Sequence, residues 1–423
     1  MIGTRARIAV SLRCPRCGSE FDTSVDLAAC PTCAPQVSVN PVAVYRSDLP
    51  RGRTLKSRWE SRPPGMWRYF ECLPVGASYA VSLGEGGTPL TECPGLGTAL
   101  GLPRLLLKNE SSNPTWSYKD RLASVGLSWA RASGRGGVVL SSSGNAGASA
   151  AAYAARAGLP ALILTTRSFP APMRGLMTSY GAMVVATEVP RDRWTLNRAV
   201  AAEWRWLPLS NMADPPAGSY PVAVEAYKTL AFEISQSLGW QVPDAVIAPV
   251  AYGDGLSGMW RGFQQLHELG ITDRTPRMIA AEAYGSLAQA LAGGFEFPVA
   301  TDGSGSLAYS AGASRSTWQA LNAIRESKGT AIDVGNEEML DAQAKTAKAE
   351  GLFVELSSAM TLAAARKLVA SGQLSSEDRV VALITSGGLK DLGIGRPAEE
   401  IPVVSPTLSD LNATLDQQFG FRR

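Results

Sequence analysis

The sequence predicts an α/β protein built on parallel β-sheets, and three observations support this prediction. Short apolar segments alternate with helical segments from about residue 81 onward. Several of the apolar segments end in loops rich in glycine, serine and asparagine that lead directly into a helix. The chain has 423 residues, 45% of them hydrophobic, which is enough for two domains and a large buried core. Such alternation is typical of parallel sheets that are covered by helices.

Two CxxC pairs mark the N-terminal segment as a separate module. Cys14 and Cys17 form the first pair, Cys30 and Cys33 the second, and 12 residues separate the pairs. This spacing is typical of a zinc ribbon, in which four thiolates surround the ion as a tetrahedron. Four protein ligands leave no open position, so a zinc ion here would be structural. The alternative is a set of cysteines without metal. We predict a zinc-ribbon-like module over residues 1–40.

The elements of the main body follow an irregular lead-in at residues 41–80, which contains several prolines. The apolar pattern predicts strands at residues 105–108, 137–140, 161–164, 181–185, 245–250, 277–281 and 379–384. It predicts helices at residues 119–133, 146–157, 171–180, 221–239, 256–269, 336–350 and 357–371. The polar tail from residue 401 onward is expected to pack loosely.

Composition excludes several classes of function. The 40 basic and 37 acidic residues give a net charge of +3, which is too balanced to indicate a nucleic-acid surface. His267 is the one histidine of the chain, so a catalytic triad or a histidine-rich metal site would have to use it. We expect it on a helix surface without a chemical role, and we expect Cys72 and Cys93 to be inert.

The predicted location is the cytoplasm. No window of 18 uninterrupted apolar residues exists, so no membrane-spanning segment is expected. The first ten residues also lack the apolar core of a signal peptide.

The segment 113–121 places a lysine, Lys119, where a turn meets a helix. Pro114 sets the turn, and Thr115 and Ser117 supply small hydroxyl groups. The positive end of the helix macrodipole is expected to lower the amine pKa, which favours the neutral nucleophile that a Schiff base needs. The alternative is a solvated lysine on a capped surface helix.

The loop at residues 141–147 predicts an anion site. It follows a strand and opens an alanine-rich helix, whose first backbone N–H groups are free to bind a ligand. With Ser142, Ser143 and Asn145 these groups suit an α-carboxylate, and Asn145 could also reach an oxygen on a planar ring. The alternative is an ordinary helix N-cap. Together with Lys119, this loop indicates pyridoxal phosphate chemistry on amino acids.

Two further loops follow predicted strands. Three glycines within residues 252–258 would let the backbone approach a phosphate group, although Asp254 there would repel it unless the carboxylate points away. The alternative is a simple turn. Thr385 ends the last strand, where its hydroxyl could bind a pyridine nitrogen. A neutral hydroxyl does not hold a proton on that nitrogen, which suits elimination and replacement better than transamination.

Six ordered segments carry a resemblance to a known family. They are residues 82–90 (similar to SLGEGNTPL), 113–121 (NPTGSFKDR), 142–146 (SSGNA), 225–233 (EGxKTxAFE), 350–359 (EGIFVEPSSA) and 385–391 (TGxGLKD). With them, from about residue 14 to residue 392, the chain resembles the threonine synthases, which are fold type II pyridoxal phosphate (PLP)-dependent enzymes. The CxxC module also occurs in many members.

The resemblance implies two three-layer α/β domains with the active site between them. The larger, PLP-binding domain would comprise residues 41–123 and 224–400, the smaller domain residues 124–223, and the C-terminal tail residues 401–423. It also implies a homodimer.

The resemblance implies roles for individual residues as well. Lys119 would form the internal aldimine with PLP and move the substrate proton, and Asn145 would bind the ring hydroxyl. The substrate carboxylate would be lined by Ser142, Ser143, Gly144 and Ala146. The cofactor phosphate would be lined by Gly253, Asp254, Gly255, Leu256 and Ser257. Thr385 would face the pyridine nitrogen, with Ser386 as the second choice.

Three departures from the family pattern bear on the substrate. Trp116 replaces a glycine beside the lysine motif, and its indole is expected to occupy substrate-side volume. Residues 173–175 lack a Gly-Lys pair. Residues 218–221 replace the family's Asn-Pro-x-Arg.

Three functions remain open at this point. The first is conversion of O-phosphohomoserine and water to threonine and phosphate. The second is β-replacement or β-elimination in specialised metabolism, by a serine/threonine dehydratase-like enzyme or an O-phosphoserine-using synthase. The third is a degenerate PLP fold that only binds.

Overall fold

The computed structural model describes residues 9–34, 36–45, 49–167, 169–391 and 401–421. The chain divides into two compact units, residues 1–391 and 392–423. Outside the described ranges lie residues 1–8 and 35 of the predicted module, 46–48 and 392–400 of the large domain, 168 of the smaller domain and 422–423 of the tail.

The strands in the described ranges are β1 (Ala9–Arg13), β2 (Glu20–Phe21), β3 (Val42–Tyr45), β4 (Leu90–Glu92), β5 (Leu105–Asn109), β6 (Val138–Ser141), β7 (Ala161–Thr166), β8 (Met183–Thr187), β9 (Leu207–Pro208), β10 (Ala245–Val250), β11 (Arg277–Glu282), β12 (Thr330–Asp333) and β13 (Val380–Ile384). The helices there are α1 (Gly52–Glu60), α2 (Pro94–Leu100), α3 (Lys119–Ala132), α4 (Asn145–Ala157), α5 (Ala171–Ser179), α6 (Asp192–Glu203), α7 (Pro221–Val224), α8 (Lys228–Ser237), α9 (Asp254–Glu268), α10 (Ser286–Ala292), α11 (Trp318–Glu326), α12 (Asn336–Glu350), α13 (Leu356–Ala370) and α14 (Leu408–Phe419).

The N-terminal module is a small antiparallel sheet in the order β2-β1-β3. Its strand β3 lies at residues 42–45, just beyond the predicted end of the module. Polar contacts join the module to the rest of the first unit: Arg16 pairs with Glu296 at 2.9 Å, and the Tyr45 hydroxyl donates to Glu225 at 2.8 Å. The module is therefore packed on the main body.

The larger sheet has six strands in the order β12-β11-β10-β13-β5-β4. The strands pair in parallel except for β4, which runs antiparallel to β5 at the edge. All these strands come from residues 41–123 and 224–400. The central strand β13 is buried along its whole length, which explains why it reads as an uninterrupted apolar run in the sequence.

The smaller sheet has four parallel strands in the order β8-β7-β6-β9, all from residues 124–223. Helices α3 and α4 pack against each other beside it. Tertiary contacts do not separate this sheet from the larger one, because both belong to the first compact unit.

The predicted helix at 221–239 differs from the structure. It is divided into α7, a 3-10 turn at Glu225–Tyr227 and α8. In the tail, predicted only to pack loosely, α14 forms with a Thr407 side-chain cap and ends at Gly420, whose φ is 63°. A hydroxyl N-cap and a left-handed glycine are the usual end signals of a helix, and they were present in the sequence.

His267, Cys72 and Cys93, for which we expected no chemical role, lie outside the cavity described below. His267 is exposed in the last turn of α9. Cys72 and Cys93 are buried, and burial raises the pKa of each thiol to about 12. Protonated, buried thiols are poor nucleophiles.

Candidate active site

The C-terminal ends of β6, β10 and β13 open into one cavity of about 470 Å³. The loops after these strands form its walls, together with the start of α3 and residues 309–313. Ligands of parallel α/β proteins bind outside the carboxyl ends of the strands, because several loops converge there. Three separate segments of the sequence thus meet around one space.

Lys119 lies in this cavity as the first residue of α3. Its Nζ donates to the Tyr118 hydroxyl at 3.1 Å and lies 4.5 Å from the centre of the same ring. The ring of Tyr227 stacks on that of Tyr118 with centroids 5.0 Å apart, so two phenol rings border the amine. The backbone here is tied to the end of β13, since the Tyr118 N–H donates to the Thr385 carbonyl at 2.9 Å.

The pKa of Lys119 is set by opposing effects. Burial lowers it, whereas the phenol groups of Tyr118 and Tyr227 and the carboxylate of Asp254 raise it, and the net direction is upward. The prediction that the helix macrodipole lowers the pKa of Lys119 is therefore wrong. Nearby groups that favour the charged amine outweigh the effect of burial.

Trp116 precedes this lysine in an unusual backbone conformation. Its φ is 60°, and its side chain is 50% exposed and outside the cavity lining. The carbonyl of Trp116 accepts a hydrogen bond from the Ser386 hydroxyl at 2.9 Å. The predicted placement of the indole in substrate-side volume is therefore not found. A left-handed φ is the conformation that glycine adopts without strain, which is why a glycine suits this position.

The loop after β6 presents free amides to the cavity. The Ser142 hydroxyl accepts from the backbone N–H of Gly144 at 3.2 Å and of Gly147 at 2.9 Å, so it caps α4 internally. In the described ranges the N–H groups of Ser143, Asn145 and Ala146 have no acceptor. These three amides lie at the positive end of a 13-residue helix, a suitable site for a carboxylate.

Asn145 is held by two residues that the sequence analysis did not select. Its Oδ1 accepts from Lys390 Nζ at 2.6 Å, and its Nδ2 donates to Glu355 Oε2 at 2.9 Å. Because an ammonium group can only donate, Lys390 fixes which side of the amide carries the oxygen. Glu355 and Lys390 lie in segments that resemble the family, 350–359 and 385–391. This resemblance was the signal in the sequence that could have identified them as site residues.

The glycine-rich loop after β10 depends on its glycines. A Cβ at Gly253, whose φ is 95°, would lie 2.3 Å from that of Ala320, and a Cβ at Gly255 would lie 2.7 Å from the Tyr118 ring. Asp254 Oδ2 accepts from the backbone N–H of Ser219 at 3.0 Å and from its hydroxyl at 2.7 Å. Ser219 therefore engages one oxygen of this carboxylate, whereas the other, Oδ1, is buried and has no hydrogen-bond partner in the described part of the chain.

Two of the five predicted phosphate residues lie outside the cavity lining. Leu256 is buried in the core, and the Ser257 hydroxyl donates to the Gly253 carbonyl at 3.0 Å. Both residues lie in the first turn of α9, where their side chains are buried. Any contribution of Leu256 would have to come from its backbone N–H.

At the end of β13, Thr385 lines the cavity and Ser386 does not. The Thr385 hydroxyl is 3.0 Å from the Ser358 hydroxyl, while the Ser386 hydroxyl is occupied by Trp116. Ser357 also lines the cavity, and its buried hydroxyl has no partner in the described part of the chain. An orphaned hydroxyl in the same cavity as Lys119 and the free amides after β6 fits a polar cofactor.

The four cysteines of the N-terminal module converge. Their sulfur atoms all lie within 4.8 Å of one another. Cys14 and Cys33 are 3.7 Å apart at sulfur, as are Cys17 and Cys30. A tetrahedron with zinc–sulfur bonds of about 2.3 Å has edges of about 3.8 Å, close to these separations.

Comparison with known proteins identifies the family. Residues 81–386 match the sequence model of a family described as pyridoxal-phosphate dependent enzymes. The chain belongs to this family. Within it, the chain is 34% identical over 399 residues to the threonine synthase of Methanocaldococcus jannaschii, covering 92% of this chain and 95% of that one. It is 33% identical to the threonine synthase of Methanosarcina acetivorans, covering 95% and 96% of the two chains. It is thus a member of the threonine synthase family.

Solved structures show the same fold. Maize serine racemase matches with a TM-score of 0.61 at 23% identity, over 71% of this chain and 88% of that chain. The processed form of threonine deaminase isoform 2 from Solanum lycopersicum matches with a TM-score of 0.62 at 18% identity, over 85% and 96%. The predicted fold type II class, the PLP cofactor and a PLP-dependent lyase activity are confirmed by these findings together. In the described ranges no helix is long and apolar enough to cross a membrane.

Proposed function

We propose that this protein is a threonine synthase, which converts O-phosphohomoserine and water to threonine and phosphate. The observation that carries the proposal is the meeting of Lys119, the amides after β6 and the glycine loop after β10 in one cavity, in a chain similar to threonine synthases along nearly its whole length.

In this proposal PLP, when bound, takes up the amine of the amino acid and withdraws electrons from its α-carbon. Lys119 would hold the aldehyde group of the cofactor and would carry the proton removed from the substrate Cα, with the Tyr118 hydroxyl 3.1 Å from its Nζ as a hydrogen-bond partner. The amides of Ser143, Asn145 and Ala146 bind the substrate carboxylate. The Asn145 side chain would hold the ring hydroxyl of the cofactor, and the Thr385 hydroxyl would hold its ring nitrogen.

The overall change in the substrate is balanced. The C–O bond at Cγ breaks and phosphate leaves, and water adds a hydroxyl at Cβ. Protons leave Cα and Cβ, and protons return to Cα and Cγ. A neutral hydroxyl at the ring nitrogen suits this sequence of eliminations and additions, because it does not favour transamination.

A second candidate is elimination or replacement at Cβ of serine-like, threonine-like or O-phosphoserine-like substrates. The segment at residues 218–221 favours it, because it lacks the basic residue of the family pattern and Ser219 from it lines the cavity.

A panel of substrates distinguishes the two activities. The purified holoenzyme is given O-phospho-L-homoserine, O-phospho-L-serine, L-serine or L-threonine. Release of phosphate and threonine in equal amounts from the first compound supports the proposal. Pyruvate or 2-oxobutanoate from the other compounds, without threonine from the first, would establish the second candidate and refute the first. If the holoenzyme converts none of the four compounds, both candidate activities are refuted and the protein only binds its ligands.

We also propose that the four cysteines of the N-terminal module hold a structural zinc ion. The short sulfur–sulfur distances support this assignment. Metal analysis of purified protein should give about one zinc per chain, and Cys14→Ser with Cys30→Ser should remove it. Absence of zinc in protein purified without chelators would contradict the assignment.

We also propose a homodimer in the cytoplasm with a small amino acid as substrate, which the family resemblance supports, and no nucleic-acid partner, which the balanced charge supports. Light scattering of the purified protein should give twice the chain mass of 44.6 kDa.

A further inference from the structure

Arg193 lies in the first turn of α6 and lines the cavity. It is partly buried, yet in the described part of the chain it forms no ion pair. Its Nε donates to the Pro190 carbonyl at 2.9 Å, and its Nη1 is 3.5 Å from the Ser143 hydroxyl. Arg191, two residues earlier, is exposed and lies 3.9 Å from the Asp214 carboxylate. The more buried arginine is thus the one without a carboxylate.

The surroundings of Arg193 leave its charge uncompensated. Burial lowers the pKa of its guanidinium, and the phenol groups of Tyr252 and Tyr309 act in the opposite direction. Arginine nonetheless stays charged in proteins. A partly desolvated charge without a counter-ion is unfavourable, so the arrangement favours binding of an anion. Asp254, the carboxylate that also lines the cavity, accepts two hydrogen bonds from Ser219.

The cavity offers more anion-binding groups than a simple amino acid requires. The amides after β6 suit the α-carboxylate, and the amides of the glycine loop suit the cofactor phosphate. Arg193 is a third group. It lies beside Ser143 on one side and near Tyr252, which begins the glycine loop, on the other. Arg193 lines the same cavity as Ser219. Ser219 belongs to residues 218–221, the segment that lacks the family's basic residue.

We propose that Arg193 binds a second anionic group on the side chain of the substrate, a phosphate ester, and so supplies the positive charge that residues 218–221 lack. The inference rests on the proposed function, because it identifies the group that confers selectivity for a phosphorylated amino acid. Arg193 acts here as a binding residue for the leaving group.

The test compares two ligands that differ only in this anion. L-2-amino-5-phosphonopentanoate has a phosphonate that the enzyme cannot release, and L-norvaline has the same carbon chain without it. Each is titrated into the holoenzyme, and binding is followed by the absorbance of the bound cofactor. Arg193→Met should weaken phosphonate binding about 100-fold and change norvaline binding less than about threefold, since truncating one partner of a close charge pair has effects of this size.

Two further variants complete the test. Arg193→Lys keeps the charge but loses the bidentate geometry, so it should retain part of the phosphonate affinity. Arg191→Met removes the neighbouring exposed charge and should leave both affinities unchanged. An unaltered cofactor spectrum and melting temperature show that each variant is folded.

Three results would overturn the inference. Equal weakening of both ligands by Arg193→Met would mean that Arg193 binds the α-carboxylate. No weakening of either would mean that the anion binds elsewhere, and a wild-type enzyme that does not prefer the phosphonate would mean that no such site exists. If the phosphonate preference depends on Arg193 but O-phosphohomoserine yields no threonine, the inference stands and the proposed function fails.

Discussion

Two groups of charged side chains, one in the core and one in the cavity, differ in how their charges are compensated. In the core, Arg121 is fully buried and pairs with both Glu110 and Glu233 at 2.7 Å, and Glu233 also pairs with Lys108 at 2.7 Å. In the cavity, Lys119 and Arg193 have no carboxylate within ion-pair distance in the described ranges. Compensated charges hold the structure together, whereas uncompensated cations mark the place where ligands bind.

The core network explains how Lys119 is held in position. Arg121 is two residues after Lys119 in α3, and its partners lie next to β5 and in α8. The network therefore joins the start of α3 to the larger sheet. The arrangement predicts that breaking the network affects stability first, whereas changes in the cavity affect ligands first.

The largest expected effect on stability is that of Glu233→Gln. It removes the carboxylate that two buried cations share, so we expect a loss of about 3–5 kcal/mol in the free energy of unfolding. Denaturant unfolding measures it. The control is Asp341→Asn, which breaks the exposed pairs with Lys345 and Arg366 and should cost less than about 1 kcal/mol. Equal effects of the two substitutions would contradict the distinction between core and surface pairs.

The next effect concerns Lys390→Met, which leaves the amide of Asn145 without its charged donor. Glu355 then remains as the charged partner that orients this amide, and we expect PLP affinity to fall about 10-fold, as for the loss of one hydrogen bond to a charged group. Cofactor absorbance during titration with PLP measures the change. Lys367→Met, which alters a more exposed lysine, is the control. Unchanged PLP affinity and an unchanged absorption maximum in Lys390→Met would show that Lys390 does not orient Asn145.

The smallest effect is expected for Trp116→Gly. Glycine adopts the observed φ of 60° without strain, so the substitution should change stability by only about 1 kcal/mol, with relief of strain opposed by the loss of indole contacts. Since the indole lies outside the cavity lining, steady-state kinetics should give a Michaelis constant within about threefold of the wild-type value. A tenfold or larger rise in the Michaelis constant would mean that Trp116 reaches the substrate after all.

Local signals in the sequence predicted most of the fold. Strands β6, β7 and β13 read as uninterrupted apolar runs because they are buried on both faces, and loops with small residues mark their carboxyl ends. The helix at 221–239 was predicted as one piece because its residues are buried in continuous runs, which hides the 3-10 turn at Glu225–Tyr227.

Side-chain direction in the site could not be predicted in the same way. Lys390 contacts Asn145 across 245 residues of sequence, and Asp254 accepts a hydrogen bond from the backbone of Ser219, 35 residues before it. Arg193 stands in no recognised motif, so only the fold brings it to the cavity. Such contacts depend on tertiary packing, which residue spacing alone does not determine.

The most direct test of the account is to locate the lysine that holds the cofactor. Borohydride reduction of the holoenzyme fixes PLP covalently to its lysine, and mass spectrometry of the peptides identifies the site. The account predicts one modified residue, Lys119, and loss of the modification in Lys119→Ala with the fold retained. Modification of Lys108, Lys228 or Lys390 instead, or no modification in protein saturated with PLP, would contradict it.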